Sequence, residues 1–190
     1  LKITVIIDSA VADVQQQAFE ALLVDYCLQN KIEQDSYEFL SIGDPSAIIK
    51  MAKAIKRGRS ALIYLDGNLG MKKGSDENLH KVPFLGTMIQ SRLGPARIAE
   101  IVSAPLRFIS ISRSDKYART SWPVKIETVC NETVRKNKMA KHIIEHLWQL
   151  IEDIVVKDPA QWEALRYVDR FLDREFIRKK QNIIEKPPIL

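Results

Sequence analysis

The segment Leu65-Asp66-Gly67-Asn68-Leu69-Gly70 follows the apolar run Ser60 to Leu65, which reads as a strand. It therefore falls at the carboxyl end of that strand, the edge of a parallel sheet where ligands bind. Asp66 can accept hydrogen bonds from hydroxyl groups or orient a neighbouring donor, while Gly67 and Gly70 permit positive φ and close backbone approach. Asn68 completes a candidate substrate-binding loop; a plain turn whose geometry comes from Asn and Gly is the other reading. Arg92 and Arg97 bracket a helix expected to start near Leu93. Its amino end and these cations would contact an anion such as phosphate, unless both are simply surface arginines beside a helix start.

Three histidines are present, at 80, 142 and 146. His142-Ile143-Ile144-Glu145-His146 spells the inverted zinc-peptidase pattern, two possible ligands one turn apart with a glutamate as base. On a helical wheel, however, the apolar stripe is Ile143, Ile144, Leu147, Leu150, Ile151 and Ile154, which leaves His142 on the polar side and His146 at its border. No third ligand segment follows, so a solvated face is expected and no metal. Arg166, Arg170, Arg174 and Arg178 recur at steps of four along an expected last helix. Glu163, Asp169, Asp173 and Glu175 interleave with them, which favours intrahelical ion pairs over an anion-binding ladder. Cys27 and Cys130 lack metal-type spacing and read as buried thiols of a reducing compartment rather than a disulfide.

These residues need a scaffold, and 190 residues with 46% hydrophobic content suffice for one domain with its own core. The expected division is one α/β domain over 1–178 and a loose tail over 179–190. With 28% charged residues and only 7 Gly and 8 Pro, collagen-like and disordered classes are excluded. No apolar run approaches the length of a bilayer span. The net charge of +5 conceals a basic centre, since residues 50–125 carry 15 basic and 5 acidic residues. Such an excess attracts anions: phosphate, an acidic carrier protein or an anionic membrane surface. Lys50, Lys53, Lys56, Arg57 and Arg59 are equally readable as the wet face and exit of a helix. Nucleic acid is not expected, because no aromatic-interleaved basic motif accompanies the charge.

The apolar patterning predicts strands at Lys2 to Ile7, Tyr37 to Ile42 and Ser60 to Leu65, with helices over Val11 to Leu28 and from Pro45 to about Gly58. After a polar loop from Asp66 to Lys81 come a hairpin-like piece around Gly86, a helix from Leu93 to Ser103, and a strand from Leu106 to Ser112 that pairs with Trp122 to Val129. Helices over about 133–157 and 160–178 finish the chain. The β-α-β-α-β opening, with a third strand apolar on both sides, predicts a mixed, mainly parallel sheet flanked by helices. The chain opens on Leu1 almost directly in a strand and so reads as a fragment.

Val82-Pro83-Phe84-Leu85-Gly86, then Gly94-Pro95-Ala96-Arg97-Ile98-Ala99, then Ala104-Pro105-Leu106-Arg107-Phe108-Ile109, and finally Asp158-Pro159-Ala160-Gln161-Trp162 occur in an informative order. Together with Asp66-Gly67-Asn68-Leu69-Gly70, this order resembles the lysophospholipid acyltransferase superfamily, within it the lipid A biosynthesis acyltransferase branch. That branch has a strand ending in Asp-Gln-x-x-Gly, a Val-Pro-Phe-Phe-Gly segment, a Gly-x-Ala-x-(Leu/Ile)-Ala helix, an Ala-Pro-Val-Val-Pro strand and a Pro-x-Gln-Trp segment. The likeness spans about residues 45–165. Gly67 stands where the branch usually has Gln, and Phe108 or its neighbour where it has a second Pro, so acceptor specificity does not carry over.

The resemblance implies a glycerolipid acyltransferase-like fold. It also implies a transferase that moves a fatty acyl group from acyl carrier protein or coenzyme A to a hydroxyl or amine, with no cofactor beyond that co-substrate. Asp66, Gly67, Asn68 and Gly70 would then line the acceptor site. It places the protein in the cytoplasm, peripheral on the inner face of the cell membrane. The family's base lies on a His-x-x-x-x-(Asp/Glu) motif that none of the three histidines here begins, so it is expected upstream of Leu1 or on a partner chain. The alternative is a non-catalytic module of the same fold that binds a lipid, a carrier protein or a partner subunit.

Overall fold

A computed structural model describes residues 2–7, 17, 20–21, 24, 27–31, 37–41, 44, 46–65, 79–111, 124–130, 139–162, 165, 168, 172–173 and 177. The chain divides into two compact units, Leu1–Leu65 and Asp66–Leu190.

In the first unit, strand β1 (Ile3–Ile7) lies between β2 (Tyr37–Ser41) and β3 (Ser60–Leu62), all parallel, in the order β2-β1-β3. Val5 sits opposite both Phe39 and Leu62. The described residues of the helix expected over Val11 to Leu28 are helical, and the buried Cys27 is a free thiol. Helix α1 (Ala47–Lys56) buries Ala47, Met51 and Ala54, which fall at helical spacing on one face. Asp44 opens it, accepting hydrogen bonds from the Ser46 backbone N–H at 2.8 Å and from the Ser46 hydroxyl at 2.7 Å. Gly58, at φ +84°, ends it in the left-handed region that glycine occupies without penalty. The fully buried Thr4 hydroxyl donates to Glu38 Oε1 at 2.7 Å and accepts from Arg59 Nε at 3.1 Å. Arg59 Nη2 also donates to the Ile3 carbonyl at 2.8 Å, so the middle strand buries no unsatisfied hydroxyl.

The second unit begins with the hairpin of β4 (Leu79–Phe84) and β5 (Thr87–Arg92). Leu85 and Gly86 form its turn with φ of 47° and 71°, the positive-φ pair that matches the twist of a two-residue hairpin. Helix α2 (Gly94–Val102) follows, with Pro95 in its first turn and Ser103 closing it in the left-handed region. Strands β6 (Leu106–Ile111) and β7 (Val124–Cys130) pair antiparallel. Helix α3 (Met139–Lys157) and a 3-10 turn at Pro159–Gln161 complete the described elements. The core of this unit gathers Val82, Phe84 and Ile89 from the hairpin and Ile144, Leu147, Trp148 and Ile151 from α3.

Three expectations are corrected. The chain is α/β, but its described strands form one three-stranded parallel sheet and two antiparallel pairs rather than one mainly parallel sheet. A two-residue turn joins β4 and β5 antiparallel to each other. The third strand ends at Leu62, not Leu65, and Tyr64 is 59% exposed. Among the described residues β3 pairs with β1 alone, and it is half-buried instead of covered on both faces. Finally, no continuous helix runs over 160–178: Leu172 forms a bridge with Ile89, and the Asp173 N–H donates to the Met88 carbonyl at 2.8 Å. Backbone pairing with β5 takes precedence there over helical periodicity. The four arginines of the expected ladder lie outside the described residues.

Candidate functional site

Of the expected site residues, Asp66, Gly67, Asn68 and Gly70 lie outside the described residues. Arg92 and Arg97 are brought to the corner between β5 and α2. Arg92 is the last residue of β5, paired with Leu79 in the ladder; it is half-buried, and its Nε is buried with no hydrogen-bond partner among the described residues. Arg97 is exposed in the first turn of α2, its backbone N–H donating to the Leu93 carbonyl at 2.9 Å. The helix starts at Gly94, one residue after the expected Leu93, which is its N-cap. Glu100, toward the other end of α2, has a buried carboxylate oxygen, Oε1, that likewise lacks a partner among the described residues.

A denser polar arrangement runs along the contact between the hairpin and α3. Glu145, Trp148 and Glu152 follow one another at steps of three and four, so they share one face of the helix. Each meets the hairpin at a different level. His80 Nε2 lies 2.7 Å from Glu145 Oε1, Trp148 Nε1 donates to the Ser91 hydroxyl at 2.7 Å, and the Leu85 N–H donates to Glu152 Oε1 at 3.0 Å. Since His80 and Ser91 are register partners, the first two contacts belong to one rung and the third to the turn. Strand β4 and α3 thus run side by side in the same direction.

Glu145 also receives His142 Nδ1 at 3.3 Å on its other oxygen. The hydrogen bond from His80 holds the Glu145 carboxyl below the ordinary glutamate value; partial desolvation opposes this and His142 adds to it. A carboxylate holding an imidazole is the apparatus that orients a general base. Here it equally fastens a strand to a helix, and the His80 side chain is only 18% exposed. The sequence reading placed His142 on the polar side of α3, where it is exposed, but had no signal for its neighbour His80, because the partners are 65 positions apart. Lys81 Nζ forms an ion pair at 2.7 Å with Asp173 Oδ2, a contact not aligned as a hydrogen bond; the aspartate is 2% exposed. It ties β4 to the segment that bridges to Ile89. Among the described residues no three potential ligands converge to hold a metal ion, and no helix is long and apolar enough to cross a membrane.

The segments behind the family resemblance occupy distinct elements. Val82-Pro83-Phe84-Leu85-Gly86 is the end of β4 and its turn, and Gly94-Pro95-Ala96-Arg97-Ile98-Ala99 opens α2. Leu106 begins β6, and Pro159–Gln161 is the 3-10 turn after α3. Phe84 contacts Trp148 edge-on at 5.1 Å between ring centroids and Trp162 at 5.3 Å. The sequence matches no family model and no curated protein.

Proposed function

We propose that the chain is the carboxyl-terminal portion of an acyltransferase similar to the lysophospholipid acyltransferases, with a glycerolipid acyltransferase-like fold. It would transfer a fatty acyl group from acyl carrier protein or coenzyme A to a hydroxyl or amine. The observation that carries this reading is the meeting of Phe84 with Trp162. The Val-Pro-Phe-Leu-Gly segment and the Asp-Pro-Ala-Gln-Trp segment, far apart in the chain, pack into one aromatic cluster with Trp148. Two segments of the resemblance thus contribute to one core, as parts of a single acyltransferase-like domain would.

In this reading a histidine from a His-x-x-x-x-(Asp/Glu) segment ahead of β1 removes the acceptor proton. The resulting nucleophile attacks the thioester carbonyl, local donors hold the oxyanion, and the thiolate departs as the new ester or amide forms. Asp66, Gly67, Asn68 and Gly70 would line the acceptor side, with the protein peripheral on the inner face of the cell membrane. The test is thiol release from an acyl thioester in the presence of a lysophospholipid, measured on the protein together with whatever coding sequence precedes Leu1. Acceptor-dependent release above the enzyme-free rate supports the reading. Its absence from a folded preparation, across both carrier protein and coenzyme A donors, leaves the non-catalytic binding module in its place.

A further inference from the structure

Helix α1 turns Ala47, Met51 and Ala54 inward, yet it does not present a purely polar outer face. Ile48 and Ile49 are 56% and 59% exposed. At about 100° per residue, Ile49, Lys53 and Lys56 form a line opposite the buried stripe, with Arg57 beside Lys53. The helix contains no acidic residue. Lys50 is neutralised by Asp44 at 2.6 Å, while Lys53, Lys56 and Arg57 make no ion pair among the described residues. Exposed branched apolar side chains set among unpaired cations match a surface that is anionic outside and apolar just beneath.

We infer that the outer face of α1 docks on an anionic lipid bilayer, with Ile48 and Ile49 entering the acyl boundary and Lys53, Lys56 and Arg57 reaching back to lipid phosphates. Long basic side chains can do this, because their stems lie along apolar surroundings while the charged ends stay at the headgroups. A nucleic acid would satisfy the cations but offers no apolar layer for the isoleucines. The inference supplies a surface for the peripheral membrane association in the proposed function and rests on that part of it. Its test reads lipid partition rather than thioester turnover, so the two can fail separately.

The 190-residue chain is mixed with vesicles of phosphatidylcholine alone, or of phosphatidylcholine with phosphatidylglycerol, and sedimented. Preferential partition into the phosphatidylglycerol vesicles is expected, reduced roughly tenfold in Lys53→Gln/Lys56→Gln, since each basic residue near an anionic surface contributes severalfold. Ile48→Ser/Ile49→Ser is expected to lose binding to a similar degree. All four side chains are exposed, so an unchanged urea midpoint shows that the fold is kept. Three results would overturn the inference: no preference for anionic vesicles; full binding by the isoleucine variant, which would mean a charge-only surface; or unchanged vesicle binding by both variants alongside loss of binding to a single-stranded RNA.

Discussion

His80 Nε2 and Glu145 Oε1, 2.7 Å apart, join the second rung of the β4–β5 hairpin, counted from its open end, to α3. Because this contact depresses the Glu145 carboxyl in the folded state, it stabilises the fold above the ordinary glutamate value of 4.5, and the contribution is lost as pH falls through the lower folded value. Glu145→Gln should therefore lower stability at neutral pH by about 1 kcal/mol or less, a charge-assisted hydrogen bond discounted for the partly exposed carboxylate. In acid the difference from the wild type should vanish. Urea unfolding at neutral and strongly acidic pH reads both; an equal deficit at the two values would mean that the hydrogen bond is not responsible.

Asp44 is a sharper titration case. Its carboxyl is lowered from 3.8 to about 2, first by the hydrogen bond from Lys50 and then by those from the Ser46 hydroxyl and backbone. The resulting stabilisation is present above pH 3.8 and fades as pH falls toward about 2. Carbon-13 NMR of the side-chain carboxyl should show the depressed midpoint, and Lys50→Gln should raise it toward the ordinary value. A midpoint unmoved by that substitution would assign the shift to the Ser46 turn alone.

Which of these features could be read from the sequence follows from how local their causes are. The hairpin around Gly86, the start of α2, the β6–β7 pair and the apolar stripe of α3 were all legible, because turn chemistry and periodicity act over a few residues. Ile143, Ile144, Leu147 and Ile151 are buried as the helical wheel requires. Trp148, omitted from the expected stripe, is also fully buried beside Ile144 and Ile151, and its indole N–H is satisfied by Ser91 on another element, a tertiary partner that periodicity does not show. The break at Leu172 was illegible for the same reason: the bridge to Ile89 is tertiary, and the surrounding periodicity is still helical. Apolar runs also do not reveal which strands share a sheet. The loop at Asp66 is a local signal, residue types following an apolar run, whereas the His80–Glu145 pair needs the fold to bring it together.

Ser91 and Trp148 predict a non-additive pair. Ser91→Ala leaves the indole N–H buried without an acceptor and should cost about 1–3 kcal/mol. Trp148→Phe removes the donor but leaves a partly filled space between Phe84 and the helix, at a similar cost. The double variant should be less destabilised than the sum of the two, since the unsatisfied donor is then gone. Thermal unfolding of the four proteins measures the coupling; strict additivity would show that the hydrogen bond contributes nothing to the fold.

The turn between β4 and β5 makes the last prediction because its two residues carry the same backbone demand with different side chains. Leu85 and Gly86 both hold positive φ, and a methyl group added at Gly86 would meet nothing within 4 Å. Gly86→Ala therefore has no packing contribution, and its cost should be the left-handed penalty alone, about 1–2 kcal/mol. Leu85 already bears that penalty, and its N–H is held in place by Glu152. Leu85→Asn, whose side chain tolerates the left-handed region, should raise stability by up to about 1 kcal/mol while keeping the Glu152 contact. Denaturant midpoints at neutral pH distinguish the two changes by sign. A destabilising Leu85→Asn would show that the contacts of the exposed leucine side chain, and not its backbone angle, set the balance at this turn.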